Sequence, residues 1–151
     1  MIGIVPAEPG AVKLYVTDGY LVKVELTKEK AELISLPPFT DQFIEYFEGR
    51  RKIFDLPYKA NFTPFQKKVY GVVSEIPYGV VLTYGEVGVR IDPTRGPKLS
   101  RAVGQALKRN PLPVIIPCHR VVGRNSLGGF SPSLDWKEFL IFLEKKYSHC
   151  L

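Results

Sequence analysis

Apolar and polar residues alternate early in the chain. Val12, Leu14 and Val16 are separated by Lys13 and Tyr15, and beyond Thr17-Asp18-Gly19 the run Tyr20–Leu26 alternates again through Val22 and Val24. Two period-two runs joined by Asp-Gly predict a β-hairpin. Ala31–Leu36 predicts a third strand. After Pro37-Pro38 the period lengthens: Phe43, Ile44 and Phe47 fall at helical spacing within Asp41–Arg51, with Thr40 as the expected N-cap. The expected unit over residues 1–55 is a small three-stranded antiparallel sheet with a helix.

Residues 56–62, which include Pro57, read as a linker, and the pattern then becomes helical. Thr63-Pro64-Phe65-Gln66 is a capping box with proline at the first helical position. Phe65, Val69, Val72, Val73 and Ile76 line one face until Pro77-Tyr78-Gly79 stops the helix. Thr83-Tyr84-Gly85-Glu86 is a second capping box, opening a short helix to about Arg90. A turn rich in Pro and Gly leads to a helix from about Leu99 to Arg109, ended by Asn110-Pro111. Two short helices joined by a tight turn predict a helix-turn-helix. Leu99, Val103, Ala106 and Leu107 form its second helix's core stripe, leaving Arg101, Ala102, Gln105, Lys108 and Arg109 largely outside. Pro113–Pro117 reads as a short buried run. A last helix, capped near Ser133, directs Trp136, Phe139, Leu140, Leu143 and Tyr147 inward; Glu144 falls on that stripe and Glu138 does not.

Charge divides the chain at the same place. Up to Phe62 there are eight Lys/Arg against nine Asp/Glu; from Thr63 onward there are thirteen against six. Arg90, Arg95, Lys98, Arg101, Lys108, Arg109, Arg120 and Arg124 face a single acid, Asp92, within Arg90–Arg124. A one-sided excess of this kind fits a polyanion partner, and equally a solvated basic face. Apolar runs fall short of a membrane span. Pro6 and Pro9 interrupt the start, so a secretory leader is not expected. With two cysteines, Cys118 and the terminal Cys150, a disulfide framework is not expected either, and the expected location is cytoplasmic or nucleoid-associated.

Cys118 follows the proline-bounded run and precedes His119 and Arg120. A thiol attacks as thiolate, which nearby cations favour; by itself, however, a lone cysteine is more often buried and inert. His119 alone reads equally as a core histidine. Two Cys and two His without ligand spacing do not make a metal site. Glu144 lies between Leu140 and Tyr147 on an apolar stripe, and a buried carboxylate there needs a partner.

Arg101-Ala102-Val103-Gly104, then Asn110-Pro111-Leu112-Pro113, then Ile116-Pro117-Cys118-His119-Arg120-Val121-Val122 resembles the signature of the O6-alkylguanine-DNA alkyltransferases. The match runs from about Thr63 to Tyr147. The resemblance implies an α+β chain: an RNase H-like sheet-and-helix unit over 1–55, a linker over 56–62, and a winged helix-turn-helix unit over 63–151 carrying the active site. It implies irreversible transfer of an alkyl group from O6-alkylguanine, and less readily O4-alkylthymine, in double-stranded DNA to Cys118. The reaction occurs once per molecule, without cofactor, metal or membrane, in a monomer.

By the same resemblance His119 deprotonates Cys118 through a water and Glu144 orients His119. Tyr84 donates to the departing guanine, and Asn110 holds the turn beside the site. The carbonyls of Cys118 and Val121 and the amide of Ser131 read a flipped base against the wall of Phe130. Arg101 enters the duplex in place of that base, Ala102 and Gly104 allow close approach to the minor groove, and Ser100, Thr83 and Arg120 contact DNA. Without the resemblance, Tyr84 is equally a packing residue, Asn110 a helix stop and Arg101 a solvated charge. The sequence departs from the family at Gly129-Phe130-Ser131-Pro132-Ser133, where tyrosine is common before serine. It departs again at Lys137-Glu138-Phe139, where Lys-Glu-Trp is common. Two other readings compete: a binder of alkylated DNA that lacks transfer, against which Cys118 speaks, and a winged-helix transcription regulator, which leaves Cys118 and Glu144 without a role.

Overall fold

The computed structural model describes residues 1–125 and 134–149. Its α+β fold begins with strands β1 (Ile2–Ala7), β2 (Gly10–Thr17) and β3 (Tyr20–Thr27), which form an antiparallel sheet in the order β1-β2-β3. Asp18 and Gly19 both take positive φ, 52° and 81°, which gives the predicted hairpin a turn whose twist matches its strands. Val12, Leu14, Val16, Val24 and Leu26 face the core. A register shift between Tyr15 and Val16 makes Val22 the extra residue, so Leu21 is buried where simple alternation pointed to Val22.

The third strand is not Ala31–Leu36. It is β1, at the edge of the sheet, and the expected segment supplies one bridge, Ile4 to Ile34. Pro6 in β1 reads as a break in the sequence, yet an edge strand tolerates a missing N–H. Helix α1 (Phe39–Phe47) starts earlier than the spacing predicted. Thr40 lies inside it, its Oγ1 accepting from the Leu36 amide at 2.8 Å.

Residues 56–62 are laid against the sheet rather than spanning freely. Leu21 donates to the Pro57 carbonyl at 2.9 Å and Lys59 donates back to Leu21 at 3.0 Å. Helices α2 (Pro64–Ser74) and α3 (Tyr84–Ile91) both open with the predicted capping boxes, at Thr63/Gln66 and Thr83/Glu86. Between α2 and α3, β4 (Leu82–Thr83) pairs in parallel with β5 (Val121–Val122). A 3₁₀ turn, Gly96–Leu99, precedes α4 (Ser100–Lys108). Gly88 permits the tight packing of α3 on this turn, because a Cβ there would come within 2.4 Å of the Gly96 carbonyl oxygen. Leu99, Val103, Ala106 and Leu107 are buried as the stripe predicted, and the Tyr70 hydroxyl ties α2 to α4 through the Ala106 carbonyl at 2.6 Å.

Helix α5 (Leu134–Tyr147) carries buried Trp136, Leu140, Leu143 and Glu144. One continuous apolar cluster joins the sheet, α1, α2, α4 and α5. Polar bonds tie the same elements: Trp136 Nε1 donates to the Thr27 carbonyl at 3.0 Å, and the Val24 amide to the Pro111 carbonyl at 2.9 Å. The sheet therefore braces the segment that carries Cys118. The expected cap near Ser133 lies outside the described residues, and among those described no helix is long and apolar enough to cross a membrane.

Because Thr63 satisfies an otherwise orphaned amide of α2, Thr63→Ala should cost about 1 kcal/mol. Urea denaturation should show this as a lower midpoint with unchanged slope.

Candidate active site

Cys118, His119 and Arg120 form a 3₁₀ turn entered from the buried run that follows α4. Asn110 shapes this run from both ends, accepting from the Leu112 amide and donating through Nδ2 to the Ile116 carbonyl, each at 2.9 Å. Ile116 donates to the Leu112 carbonyl at 2.8 Å, closing a tight loop. Inside it Val114 has φ +76°, a strained conformation for a β-branched residue that persists only where its surroundings impose it.

The turn sends its three side chains to different tasks. Cys118 is 5% exposed and lies at the wall of a cavity of about 560 Å³, shared with Tyr84, Arg101, Gly104 and Asn110, and with Lys23 and Glu25 from β3. Burial pushes its thiol up to about 11, against the pull of Asn110 and of the Lys137 charge. At neutral pH the sulfur therefore keeps its proton and needs a base to attack.

His119 is fully buried. Its Nε2 meets Glu144 Oε2 at 2.7 Å, and burial holds the imidazole below its ordinary value despite that carboxylate. A neutral imidazole facing a carboxylate carries its proton on the bonded nitrogen, Nε2. Nδ1 is then the basic nitrogen, and among the described residues it is buried with no hydrogen-bond partner. The ring is thus prepared to accept one proton on one defined atom.

Glu144 is 2% exposed and held well below the usual carboxylate range: His119 and Arg120 outweigh the burial that would raise it. Arg120 grips it with Nε to Oε1 at 2.8 Å and one terminal nitrogen to Oε2 at 2.9 Å. The other terminal nitrogen donates to the Ile76 carbonyl at 2.7 Å. Arg120, expected at the DNA, is therefore turned inward, with all its donor nitrogens engaged by the protein.

Lys137 and Tyr46 also belong to this site and were not foreseen from the sequence. Lys137 is fully buried, its ammonium 3.5 Å from the Tyr84 hydroxyl, and burial lowers it to about 8. It lies three residues before Leu140 on the stripe that predicted Glu144, so the same spacing applied to it. Tyr46 of α1 donates to Glu144 Oε2 at 2.5 Å. It lies three residues after Phe43, a spacing that places it inward but says nothing of its partner.

Other expected residues lie around the cavity. Tyr84, at the start of α3, is half-buried, and its hydroxyl is pushed up by burial and by Cys118. Val121 is buried in β5. Arg101 and Ala102 are exposed on α4, and a Cβ built on Gly104 would meet nothing nearer than the Tyr84 ring at 3.9 Å. Among the described residues nothing thus requires glycine at 104. Thr83 and Ser100 line a depression on the outer side of α3 and α4 together with Arg90 and Arg124. Phe130, Ser131 and Cys150 lie outside the described residues. Among those described, no cluster of three or more His, Cys, Asp or Glu is placed to hold a metal.

Known proteins resemble this chain in sequence and in structure. The sequence profile described as the 6-O-methylguanine DNA methyltransferase DNA-binding domain matches residues 64–146. The chain belongs to this family. Over 136 residues it is 42% identical to a methylated-DNA–protein-cysteine methyltransferase of Methanosarcina acetivorans, spanning 89% of this chain and 80% of that protein. The crystal structure of Mycobacterium tuberculosis O6-methylguanine methyltransferase matches with a TM-score of 0.81 at 29% identity, covering 100% of this chain and 97% of its own. A structure of the Mycobacterium tuberculosis protein OGT in complex with DNA matches at 0.79 and 30% identity, covering 95% and 92%. These methyltransferase relatives extend over the N-terminal sheet as well as the matched domain.

With the thiol up near 11, carbamidomethylation of Cys118 by iodoacetamide should be slow at pH 7. It should keep rising through pH 9 rather than level off, as peptide mass spectrometry of timed samples would show. A plateau near pH 7 would mean a resting thiolate.

Proposed function

We propose that the protein repairs DNA by direct reversal, moving the alkyl group of O6-alkylguanine, and less readily O4-alkylthymine, onto Cys118 in a single irreversible turnover. The observation that carries this reading is a protonated thiol in the wall of a cavity beside a neutral histidine whose free nitrogen is basic. That geometry suits a nucleophile activated at the moment of attack, and it occurs in a chain of the methyltransferase family. His119 Nδ1 takes the Cys118 proton through a water while Glu144 holds Nε2. The sulfur attacks the alkyl carbon in line, the carbon–O6 bond breaks, and its electron pair passes to the guanine ring. Tyr84 donates a proton to the departing base, with Lys137 beside its hydroxyl. The product is a thioether, which nothing in this site reverses, and no cofactor is consumed.

For the carbon to reach a sulfur that is 5% exposed, the nucleotide must leave the helix. Arg101 fills the gap in the stack, and the small side of α4 at Ala102 and Gly104 enters the minor groove. Thr83 and Ser100, flanked by Arg90 and Arg124, meet phosphates, which give affinity without sequence preference. The carbonyls of Cys118 and Val121, the amide of Ser131 and the ring of Phe130 read the flipped base. We assign residues 1–55 to an RNase H-like unit, 56–62 to a linker and 63–151 to a winged helix-turn-helix, acting as a cytoplasmic or nucleoid-associated monomer. That related protein's complex with DNA supports the partner. A transcription regulator of the same fold would not need the buried Cys118–His119–Glu144 arrangement.

Incubation with a duplex carrying O6-methylguanine should add one methyl group to the intact mass, located on Cys118 and absent in Cys118→Ala; stable binding without a mass change would refute transfer. Arg101→Ala should slow repair of the duplex at least tenfold while reaction with the free base O6-methylguanine is largely kept, since an unstacking cost of about 1.4 kcal/mol corresponds to a factor of ten. Equal losses on both substrates would remove the intercalating role.

A further inference from the structure

Five donor contacts converge on Glu144: two from Arg120, one each from His119 and the Gly79 amide, and one from Tyr46. Among these partners Tyr46 alone comes from before residue 63, outside the segment that matches the family's DNA-binding domain. It donates to Oε2 at 2.5 Å, the same oxygen that His119 meets at 2.7 Å.

The phenol is held in place on every side described. Tyr46 is fully buried, with the rings of Phe54, Phe47 and Tyr78 at 5.2, 5.7 and 6.2 Å. Burial and the Glu144 charge push its hydroxyl well above the ordinary tyrosine value, so it stays a neutral donor across the working range. Tyr46, His119 and one Arg120 nitrogen at 2.9 Å share the charge of this carboxylate oxygen: the more firmly Tyr46 is bound, the less His119 is stabilised in its protonated form.

We propose that Tyr46 is a positioning residue for alkyl transfer: by occupying Glu144 Oε2 it limits the charge that His119 feels and so sets the pH at which His119 can act as base. The proposal rests on the reading above, in which His119 accepts the Cys118 proton. The Tyr46 proton does not move during the reaction. Other groups facing the pair are Arg120 from the 3₁₀ turn, Lys137 from α5, Cys118, and Tyr78, over whose ring Lys52 and Arg120 lie at 5.4 and 5.8 Å. Apart from the Cys118 proton handed to His119, these charges stay fixed while His119 titrates below its ordinary value, held down by burial; the Lys137 ammonium, lowered to about 8, loses its proton on the alkaline side. The acid limb of the profile is therefore the one that reports Tyr46. This gives the N-terminal sheet-and-helix unit a direct part in the chemistry.

The test uses the full chain, O6-methylguanine duplex and two readouts: methyl-transfer rate against pH, and titration of His119 by ¹H–¹⁵N NMR. The chain has two histidines, so a His119→Gln sample assigns the signal. In Tyr46→Phe the carboxylate oxygen is released to His119. Its titration and the acid limb should both move up by about half a unit, slowing transfer about threefold at pH values well below that limb's midpoint. Tyr46 replaced site-specifically by 3-fluorotyrosine, a stronger donor of nearly the same shape, should move both the opposite way. This second arm stands if Tyr46→Phe fails to fold. A lower melting temperature with both curves unmoved, or shifts in one common direction, would overturn the proposal. Absence of methyl transfer in the wild type would instead refute the alkyl-transfer reading, while the His119 titration still reports on Tyr46.

Discussion

The buried carboxylate of Glu144 is the constraint on which the rest depends. Bringing an anion to 2% exposure costs several kcal/mol of lost hydration unless donors replace the water. Arg120 neutralises the charge with two contacts, and His119, Tyr46 and the Gly79 amide complete its shell. The donors come from α1, the loop after α2 and the Cys118 turn, while the acceptor comes from α5. One side chain therefore joins elements from both ends of the sequence, and a shift of any of them removes a donor from a buried carboxylate.

That arrangement also determines the state of the reacting groups. Burial, helped by the Arg120 and Lys137 charges, leaves His119 neutral although it touches a carboxylate, so its second nitrogen is free to accept a proton. Burial keeps Cys118 protonated near 11, with Lys137 opposing it. A thiol stored in this form is protected from casual oxidation and alkylation, since the thiolate is the reactive species. For a protein read as spending its only acceptor in one turnover, such protection has obvious value. The strained Val114 and the Asn110 clamp belong to the same economy, because they fix the short loop that sets Cys118 against the cavity.

Local signals were legible where they involve neighbours in sequence. The capping boxes at Thr63 and Thr83 and the hairpin at Asp18-Gly19 form as predicted, since each closes within a few residues. The core stripe of α4 and the inward Glu144 follow from helical period alone. The misses have equally physical causes. Strand β1 hides behind Gly3 and Pro6: Pro6 is tolerated because the strand lies at the edge of the sheet, and Gly3 lets Thr40 and Leu36 pack close against it. Thr40 resembles an N-cap but lies inside the helix, its hydroxyl accepting from the Leu36 amide ahead of it. Lys137 shared the stripe of Glu144, yet a lysine on an apolar stripe is ordinarily read as pointing out, because burying an ammonium is costly.

By itself, then, the sequence determined the Asp18-Gly19 hairpin, the main helices, the position of the basic helix and the inward stripe that carries Glu144, because periodicity, capping and motif spacing act over short separations. Tertiary structure decided the rest. It turned Arg120 from a DNA contact into a partner of Glu144, and brought Tyr46 across 98 residues to the oxygen that His119 uses. It also set the protonation of Cys118 and His119. Those outcomes depend on desolvation and on charges that meet only when the chain is folded, and neither is encoded in the spacing of residues along it.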